Sequence, residues 1–462
     1  MKVPIQPLVV ATALFMENMD STILATALPT IARDLGLDPI SLKLAVTSYL
    51  VGLAVLVPVS GWLADRVGAR TTFRTALAVF MLASIGCAFS RSLEGFAAWR
   101  LVQGMGGALM VPVGRLVILR AVPKAELVRA MAFLTVPSLM GPLLGPPLGG
   151  LIVTVTDWRW IFLVNIPIGL LGIVLATLYF KDEPQPRAPL DVRGFVLSAL
   201  GLSGLILGTA VAGRHIAPPW VAVATLVVGA TASALYVAHA RRVEQPLLDL
   251  RLFRITSFDA GVTGGLLFRI GIGSTAFLLP LMLQLGLGID PLRSGLITLA
   301  GALGALLMKM LAGRILRGAG FRTVLLVNGF VASALVALTA LIGPTTPQLA
   351  IVVLLLATGL SRSLQFTCLH AISYADIDHD KASAATSIAS VAQQVSLGFG
   401  VAIGAMALEV SARIAGRAAP AVADFHVAFL VVAALSLLSL LRIGKLSPDA
   451  GHELAGRPAP ET

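Results

Sequence analysis

The sequence predicts an all-α polytopic membrane protein of fourteen transmembrane helices, and three observations carry that prediction. Of 462 residues, 57% are hydrophobic and only 12% charged, against about 45–50% and 25% in a typical soluble domain. The mean hydropathy is +0.91, too apolar for the remainder to build a water-facing surface. The apolar residues come in long runs, each near the ~20 residues that one helix needs to cross a bilayer. Together these exclude a soluble enzyme, a nucleic-acid-binding domain and a secreted disulfide scaffold.

Bounded by charge or by Pro and Gly clusters, the runs place spans at 8–32, 44–64, 72–90, 95–119, 129–153, 160–180, 192–212, 219–239, 258–285, 294–316, 322–342, 348–372, 384–410 and 424–442. Pro and Gly inside them do not argue against helices, because neighbouring helices re-satisfy the backbone groups that these residues free. Span one carries Glu17 and Asp20, which the apolar core of a cleavable signal would not, so it reads as a retained membrane helix. Cys87 and Cys368 fall inside apolar runs and read as small buried hydrophobes with neither a disulfide nor a metal role.

Basic residues orient the chain. With the N-terminus inside, 22 of the 34 Lys and Arg fall on cytoplasmic segments, nine on the outer side and three (Arg269, Lys309 and Arg362) within spans. Cytoplasmic loops carry such an excess, so both termini are expected in the cytoplasm. The net charge of +11 is then a by-product of topology and not a footprint for nucleic acid.

Two breaks divide the spans into six, two and six. The linker 181–192, with Pro184, Pro186 and Pro189, follows span six, and a second break at 241–258 precedes the last six. The expected units are 1–180, an N-terminal six-helix bundle; 181–257, a linker with two additional helices; 258–446, a C-terminal six-helix bundle; and 447–462, a polar tail expected to be disordered. The loop Gly61-Trp-Leu-Ala-Asp-Arg-Val-Gly-Ala-Arg70 after span two has an echo after span ten, Gly313-Arg-Ile-Leu-Arg-Gly-Ala-Gly-Phe-Arg322. Repeated halves of this kind are how secondary transporters build a site near the midplane and alternate its access.

The first of those loops is the most specific signal. Gly68 permits a tight turn, and Asp65 stands where span two leaves the membrane. It can pair with a basic residue of a neighbouring helix in one conformation and release it in another. Gly61, Asp65, Arg66, Gly68 and Arg70 therefore read as a conformational latch, with a solvated loop charge as the plainer alternative. Span four carries Arg100-Leu-Val-Gln-Gly-Met-Gly-Gly107, and span five Gly141-Pro-Leu-Leu-Gly-Pro-Pro-Leu-Gly-Gly150. Gly141, Gly145 and Gly149 recur every four residues, a small face that lets helices approach closely. Pro142 and Pro146 remove backbone donors and bend the helix. With Gly150 they read either as a generic packing face or as a bend and seal against ion leak.

These stretches resemble the major facilitator superfamily. The Gly61–Arg70 loop looks like its signature loop, the span-four segment like its second motif, and the span-five segment like the motif associated with its drug/proton antiporters. Met19-Asp-Ser-Thr-Ile23, Ala27-Leu-Pro29 and Trp158-Arg-Trp-Ile-Phe-Leu-Val-Asn-Ile-Pro-Ile-Gly169, with the six–two–six layout, are similar to the fourteen-span drug/proton antiporter group (EmrB/QacA-like). Pro58-Val-Ser-Gly-Trp62, Met110-Val-Pro-Val-Gly-Arg115 and Phe268-Arg-Ile-Gly271 look like its MdtD branch. The resemblance covers nearly the whole chain and is densest before residue 170. It implies a major facilitator fold, two six-helix bundles plus two extra helices between them, in a bacterial inner membrane. It also implies a proton-relay role for Arg100. Two departures stand out: Leu24-Ala25 replace the family's usual Val-Asn, and Leu316 stands where an Asp would complete the second loop.

Ionisable residues at membrane depth are functional candidates because burying a charge in hydrocarbon is expensive. Glu17 and Asp20 lie three apart, nearly on one face of span one, with Asp20 near mid-bilayer at about 1.5 Å per residue. Burial favours the neutral form of such a carboxyl and a nearby cation its charged form. It can therefore alternate between carrying a proton and holding an ion pair with Arg100; a static pair that fixes helix packing is the alternative. Lys309 lies near the inner end and is expected to snorkel to the interface. Arg269 and Arg362 are deeper. They either pair with carbonyls or polar groups such as Gln365, or line the pathway with Gln103, and a pathway rich in positive charge favours neutral or anionic solutes.

The chain is thus expected to be a secondary active transporter that expels small amphipathic organic molecules in exchange for protons. An exporter of one endogenous metabolite is the alternative on the same fold, and a non-transporting receptor or scaffold a remote one. No phosphate-binding loop of the Gly-x-x-x-x-Gly-Lys-Ser/Thr type is present, so no nucleotide is expected to drive it. No nucleophile–base pair or metal-ligand spacing points to an enzyme. The expected partners are a small-molecule substrate, protons and the lipid bilayer, without cofactor, metal or nucleic acid.

Overall fold

The computed structural model describes residues 5–121, 127–182, 190–212, 217–244, 246–378 and 381–452, the side chains of 115, 119–121, 127–139 and 383 excepted. Pro184, Pro186 and Pro189 of the expected linker, the Arg115 side chain and residues 453–462 of the expected tail lie outside the described residues.

The chain is all-helical among the described residues. Its membrane helices are α1 (Ile5–Leu35), α2 (Pro39–Val67), α3 (Ala69–Ala88), α4 (Leu93–Ala121), α5 (Leu127–Val155), α6 (Trp160–Tyr179) and α7 (Val192–Val211). They continue with α8 (Pro219–Ala240), α9 (Thr256–Gly286), α10 (Pro291–Ala319), α11 (Phe321–Thr339), α12 (Gln348–Ile372), α13 (Ala382–Ile414) and α14 (Val422–Ile443). Among the described residues, thirteen are long and apolar enough to cross a membrane. The remaining one, α5, shows its apolar stretch over Met140–Val155 and runs unbroken through Pro142, Pro146 and Pro147.

Side-chain caps set several helix starts. Asp191 accepts from the Gly194 amide at 2.8 Å to open α7, and Asp290 accepts from the Arg293 amide at 2.9 Å to open α10 with Pro291 at its first position. Such caps satisfy amides left without intrahelical partners. The same chemistry shifts α2: Asp38 accepts from the Ile40 amide at 3.1 Å and Pro39 starts a tight turn. The helix therefore begins at Pro39, and Lys43, expected beyond the start of the span, lies inside it and fully buried. The tail differs too. Ser447–His452 form turns, and Ala450 packs on the α10–α12 core beside Leu446, so the polar composition there does not prevent docking.

Packing divides the molecule by ends. Away from the termini, one apolar cluster crosses from the first six helices to the last six. It joins Leu28 and Ile31 of α1, Leu42 of α2 and Phe162 of α6 to Met282 of α9, Ala300 of α10 and Leu408 of α13. Towards the termini the clusters separate: Phe73, Phe80, Met110 and Phe180 form one, and Leu316, Phe321, Leu369 and Ile443 another. Among the described residues, the large apolar cluster that joins the two halves lies at the end away from the termini. α7 and α8 pack on each other, and Ile206 of α7 packs with Val51 and Ala54 of α2.

The repeated loops occupy matching turns. Gly68 and Gly320 both take positive φ, 101° and 76°, where a Cβ would be strained. Beyond each turn an Arg reaches the end of the sixth helix of its half. Arg70 Nε meets Asp182 Oδ2 at 3.3 Å after α6, and Arg322 Nη2 meets the Gly444 carbonyl at 3.4 Å after α14. The second half keeps the geometry and replaces a carboxylate with a carbonyl.

Candidate functional site

The site is built where four helices of the first half bring polar side chains into an otherwise apolar interior. Glycines make the approach possible. A Cβ on Gly52 of α2 would stand 2.8 Å from the Met105 amide of α4, and one on Gly106 2.8 Å from the Phe80 amide of α3. With those helices in close contact, Arg100 of α4 reaches Asp20 of α1. Its Nη1 donates to Asp20 Oδ2 at 2.6 Å and to Gln103 Oε1 at 2.5 Å. Asp20 Oδ1 accepts from Gln103 Nε2 and from Asn165 Nδ2 of α6, each at 2.9 Å. Both amides also donate to Ser84 Oγ of α3, at 2.7 and 3.2 Å. The guanidinium lies 4.3 Å from the centre of the Tyr49 ring, a cation–π contact strengthened by desolvation. Asp20, Arg100, Gln103, Ser84 and Asn165 are each at most 1% exposed.

Such burial is tolerable only because the charges are paired and hydrogen-bonded. Three donors, one on Oδ2 and two on Oδ1, hold the Asp20 carboxylate in place.

The structure thus brings Asp20, Arg100 and Gln103 together. Gln103 is fully buried in this network. Glu17 stands one turn away, half-buried, its carboxyl and the Tyr49 hydroxyl both bordering Gly107. Asn165 and Ser84 were missed in the sequence. Asn165 could have been found as the polar residue inside the Trp158–Gly169 stretch of an apolar span. Trp158 anchors that stretch: its Nε1 donates to Asp34 Oδ2 at 2.9 Å, and its ring meets Phe96 and Phe162 edge-on.

The other candidates are distributed elsewhere. Gly141, Gly145 and Gly149 form the seam of α5 with α1: a Cβ on Gly141 would stand 2.7 Å from Asn18, and one on Gly149 2.6 Å from the Ile23 carbonyl oxygen. Gly150 faces α10 of the other half. In the signature loop, Gly61 is half-buried, Asp65 is buried in the last turn of α2 and Arg66 is exposed. Asp182 caps the start of α3, accepting from the Thr71 amide at 3.0 Å and the Thr71 hydroxyl at 2.7 Å beside Arg70. Burial opposes the charge on Asp182, but those hydrogen bonds and the Arg70 guanidinium outweigh it and hold the carboxyl below the usual carboxylate range.

Gln365 does not meet the deep arginines. Its amide donates to the Leu325 carbonyl at 3.0 Å and accepts from Asn328 at 2.9 Å, both on α11. Arg269 lies buried on α9 against Phe366 of α12, and Arg362 is half-buried on α12. Lys309 finds a partner on a neighbouring helix, the Thr367 hydroxyl at 2.9 Å.

Two halves of six helices, sealed at one end and carrying a buried carboxylate–guanidinium pair at depth, define a membrane transporter. The chain belongs to the major facilitator superfamily, whose family description it matches over residues 10–401 and 261–461. It is 38% identical over 401 residues to "Putative multidrug resistance protein MdtD" of Pectobacterium carotovorum, covering 87% of this chain and 86% of the relative. The protein of that name from Pectobacterium atrosepticum is 36% identical over 444 residues, 96% of this chain and 95% of the relative. Among solved structures, a D-xylose–proton symporter superposes with a TM-score of 0.70 at 16% identity, over 96% of this chain and 98% of the other. The human organic anion transporter MFSD10 does so with a TM-score of 0.62 at 15% identity, over 96% and 100%. Those two likenesses are of fold.

Proposed function

We propose that the chain is a proton-coupled antiporter that expels small amphipathic organic compounds from a bacterium across its inner membrane by alternating access. One observation carries the reading: Asp20, buried at depth, accepts hydrogen bonds from Arg100, Gln103 and Asn165. Protonation of Asp20 removes the counter-ion of Arg100, and the helices the pair joins are free to re-pack. Deprotonation restores the pair. Glu17, one turn nearer the separated end and beside Tyr49, is the carboxyl through which protons reach Asp20. The multidrug-resistance naming of the relatives supports the substrate class.

In this reading both termini are cytoplasmic, so the sealed end is external and the conformation inward-facing. Residues 1–180 and 258–446 are the rocking bundles, 181–257 joins them, and the Asp65 loop with the Arg70–Asp182 clasp latches one state. The α1–α5 glycine seam limits leak during the exchange. Proteoliposomes with an imposed pH gradient test the proposal. Proton-driven uptake of substrate by the unmodified chain should vanish in Asp20→Asn while exchange of substrate against substrate survives. Uptake that persists in Asp20→Asn removes Asp20 from coupling. Protection of cells against only one compound in a broad toxicant panel favours the single-metabolite exporter.

A further inference from the structure

We infer that Arg269 of α9 and the aromatic stripe of α12 form a binding site for an aromatic organic anion, which makes that the substrate class of the exporter; the inference rests on the export reading above. Arg269 is 2% exposed, and its Nε and Nη1 have no hydrogen-bond partner among the described residues. The contrast with Arg100 is direct. Arg100 is as deeply buried but holds Asp20, Gln103 and Tyr49, whereas Arg269 Nε and Nη1 hold nothing among the described residues and the Phe366 ring lies 5.4 Å from its guanidinium carbon. A guanidinium left in that state carries a desolvation cost that an incoming anion offsets.

The surroundings fit such a ligand. Phe366 and His370 near the end of α12 and Tyr374 in the turn that follows it recur every four residues, and each neighbouring pair of rings is in contact. The Phe366 and His370 rings lie 6.4 Å apart and nearly parallel at 25°, and His370 and Tyr374 lie 5.3 Å apart. α9 widens into a π-helical turn at Ala260–Gly264 just before Gly265, where a Cβ would stand 2.8 Å from Arg269 Nη1. Such turns often mark functional sites. Arg362, one turn before Phe366 on the same helix, is half-buried, and no carboxylate lies within ion-pair distance of either arginine among the described residues. Donors seeking an acceptor, flanked by flat rings, favour a carboxylate or sulfonate on an aromatic body and repel a lipophilic cation.

Equilibrium binding to the purified full-length protein, without any gradient, tests this independently of proton coupling. The probes are 2-naphthoate, its neutral amide 2-naphthamide, the cation 2-naphthylmethylammonium and the aliphatic cyclohexanecarboxylate. Naphthoate should bind at least tenfold tighter than the other three. Arg269→Gln should weaken naphthoate at least tenfold while the ligand-free protein melts at the same or a higher temperature, since an unpaired buried charge is gone. Arg269→Lys should retain part of the affinity, and Phe366→Leu should bring naphthoate down to the cyclohexanecarboxylate value. Naphthoate binding that is absent at millimolar concentration, unchanged in Arg269→Gln or no tighter than that of the cation overturns the inference. Failure of proton-driven uptake with this binding intact would instead count against the antiport reading.

Discussion

Removing either partner of the Lys43–Glu409 pair should unseal the end of the molecule away from the termini. Lys43 Nζ of α2 meets Glu409 Oε1 of α13 at 2.7 Å, with side chains 0% and 8% exposed, so the bond joins one half to the other inside the sealed cluster. Breaking a buried pair by removing one partner costs roughly 3–5 kcal/mol, because the remaining charge loses its counter-ion. In a state where the halves part at that end, the remaining charge is hydrated, so the cost falls on the sealed state alone. At about 1.4 kcal/mol per tenfold, Lys43→Met or Glu409→Gln should shift the balance towards the parted state by on the order of 10²–10³-fold. The double variant Lys43→Met/Glu409→Leu replaces the pair by apolar groups, which is often neutral, and should reseal. The assay is spin-label distance measurement between exposed Arg91 and Ala418, one on each half, after conversion to Cys with Cys87 and Cys368 replaced by Ala. Single variants should populate a longer distance that the double variant loses. Unchanged distributions in both single variants would refute the assignment of this pair as the tie at that end.

Two further outcomes are expected. A Cβ on Gly145 would meet Thr22, whose Cβ would be 2.9 Å away, so Gly145→Ala should lose on the order of 1–3 kcal/mol by overpacking, and Thr22→Ala in the same chain should recover much of it in a double-variant melting cycle. Asp182 is held below its ordinary carboxylate value by Thr71 and Arg70 against the opposing effect of burial. The sign of its pH dependence follows: its contribution is present above the unfolded carboxylate value of about 4 and is lost as pH falls through the lower folded value. Melting temperatures of the unmodified chain and Asp182→Asn should therefore differ at pH 7 and converge in acid; a gap that is constant with pH would show that the carboxylate charge is not what tightens this clasp.

The helices were legible because transfer of each residue into lipid is a local property. Runs of apolar residues gave spans whose ends lie within about five residues of those observed, and Asp38-Pro39, the capped turn that moves α2 earliest, is itself a readable start signal. The site was legible in part. Asp20 and Arg100 announce themselves as charges in apolar runs, and Gly141, Gly145 and Gly149 share a face by spacing. Asn165 and Ser84 carry no charge and were not singled out, while Lys43 sat too near an expected loop to look buried. Gln365 points to α11 and not to the deep arginines because of the rotation of α12 about its own axis, which periodicity in one helix does not fix.

Composition and spacing were enough to place the helices, to mark which residues are too costly to bury without purpose, and to put a turn at Gly68. Who pairs with whom emerged from the fold. Arg100 finds Asp20 across 80 residues of chain, and Lys43 finds Glu409 across 366. Such partners are set by helix rotation and close approach between packed elements, and those depend on every neighbour at once. The same reason explains why Arg269, like Arg100 a charge in an apolar run, ended in the fold without a carboxylate to hold among the described residues.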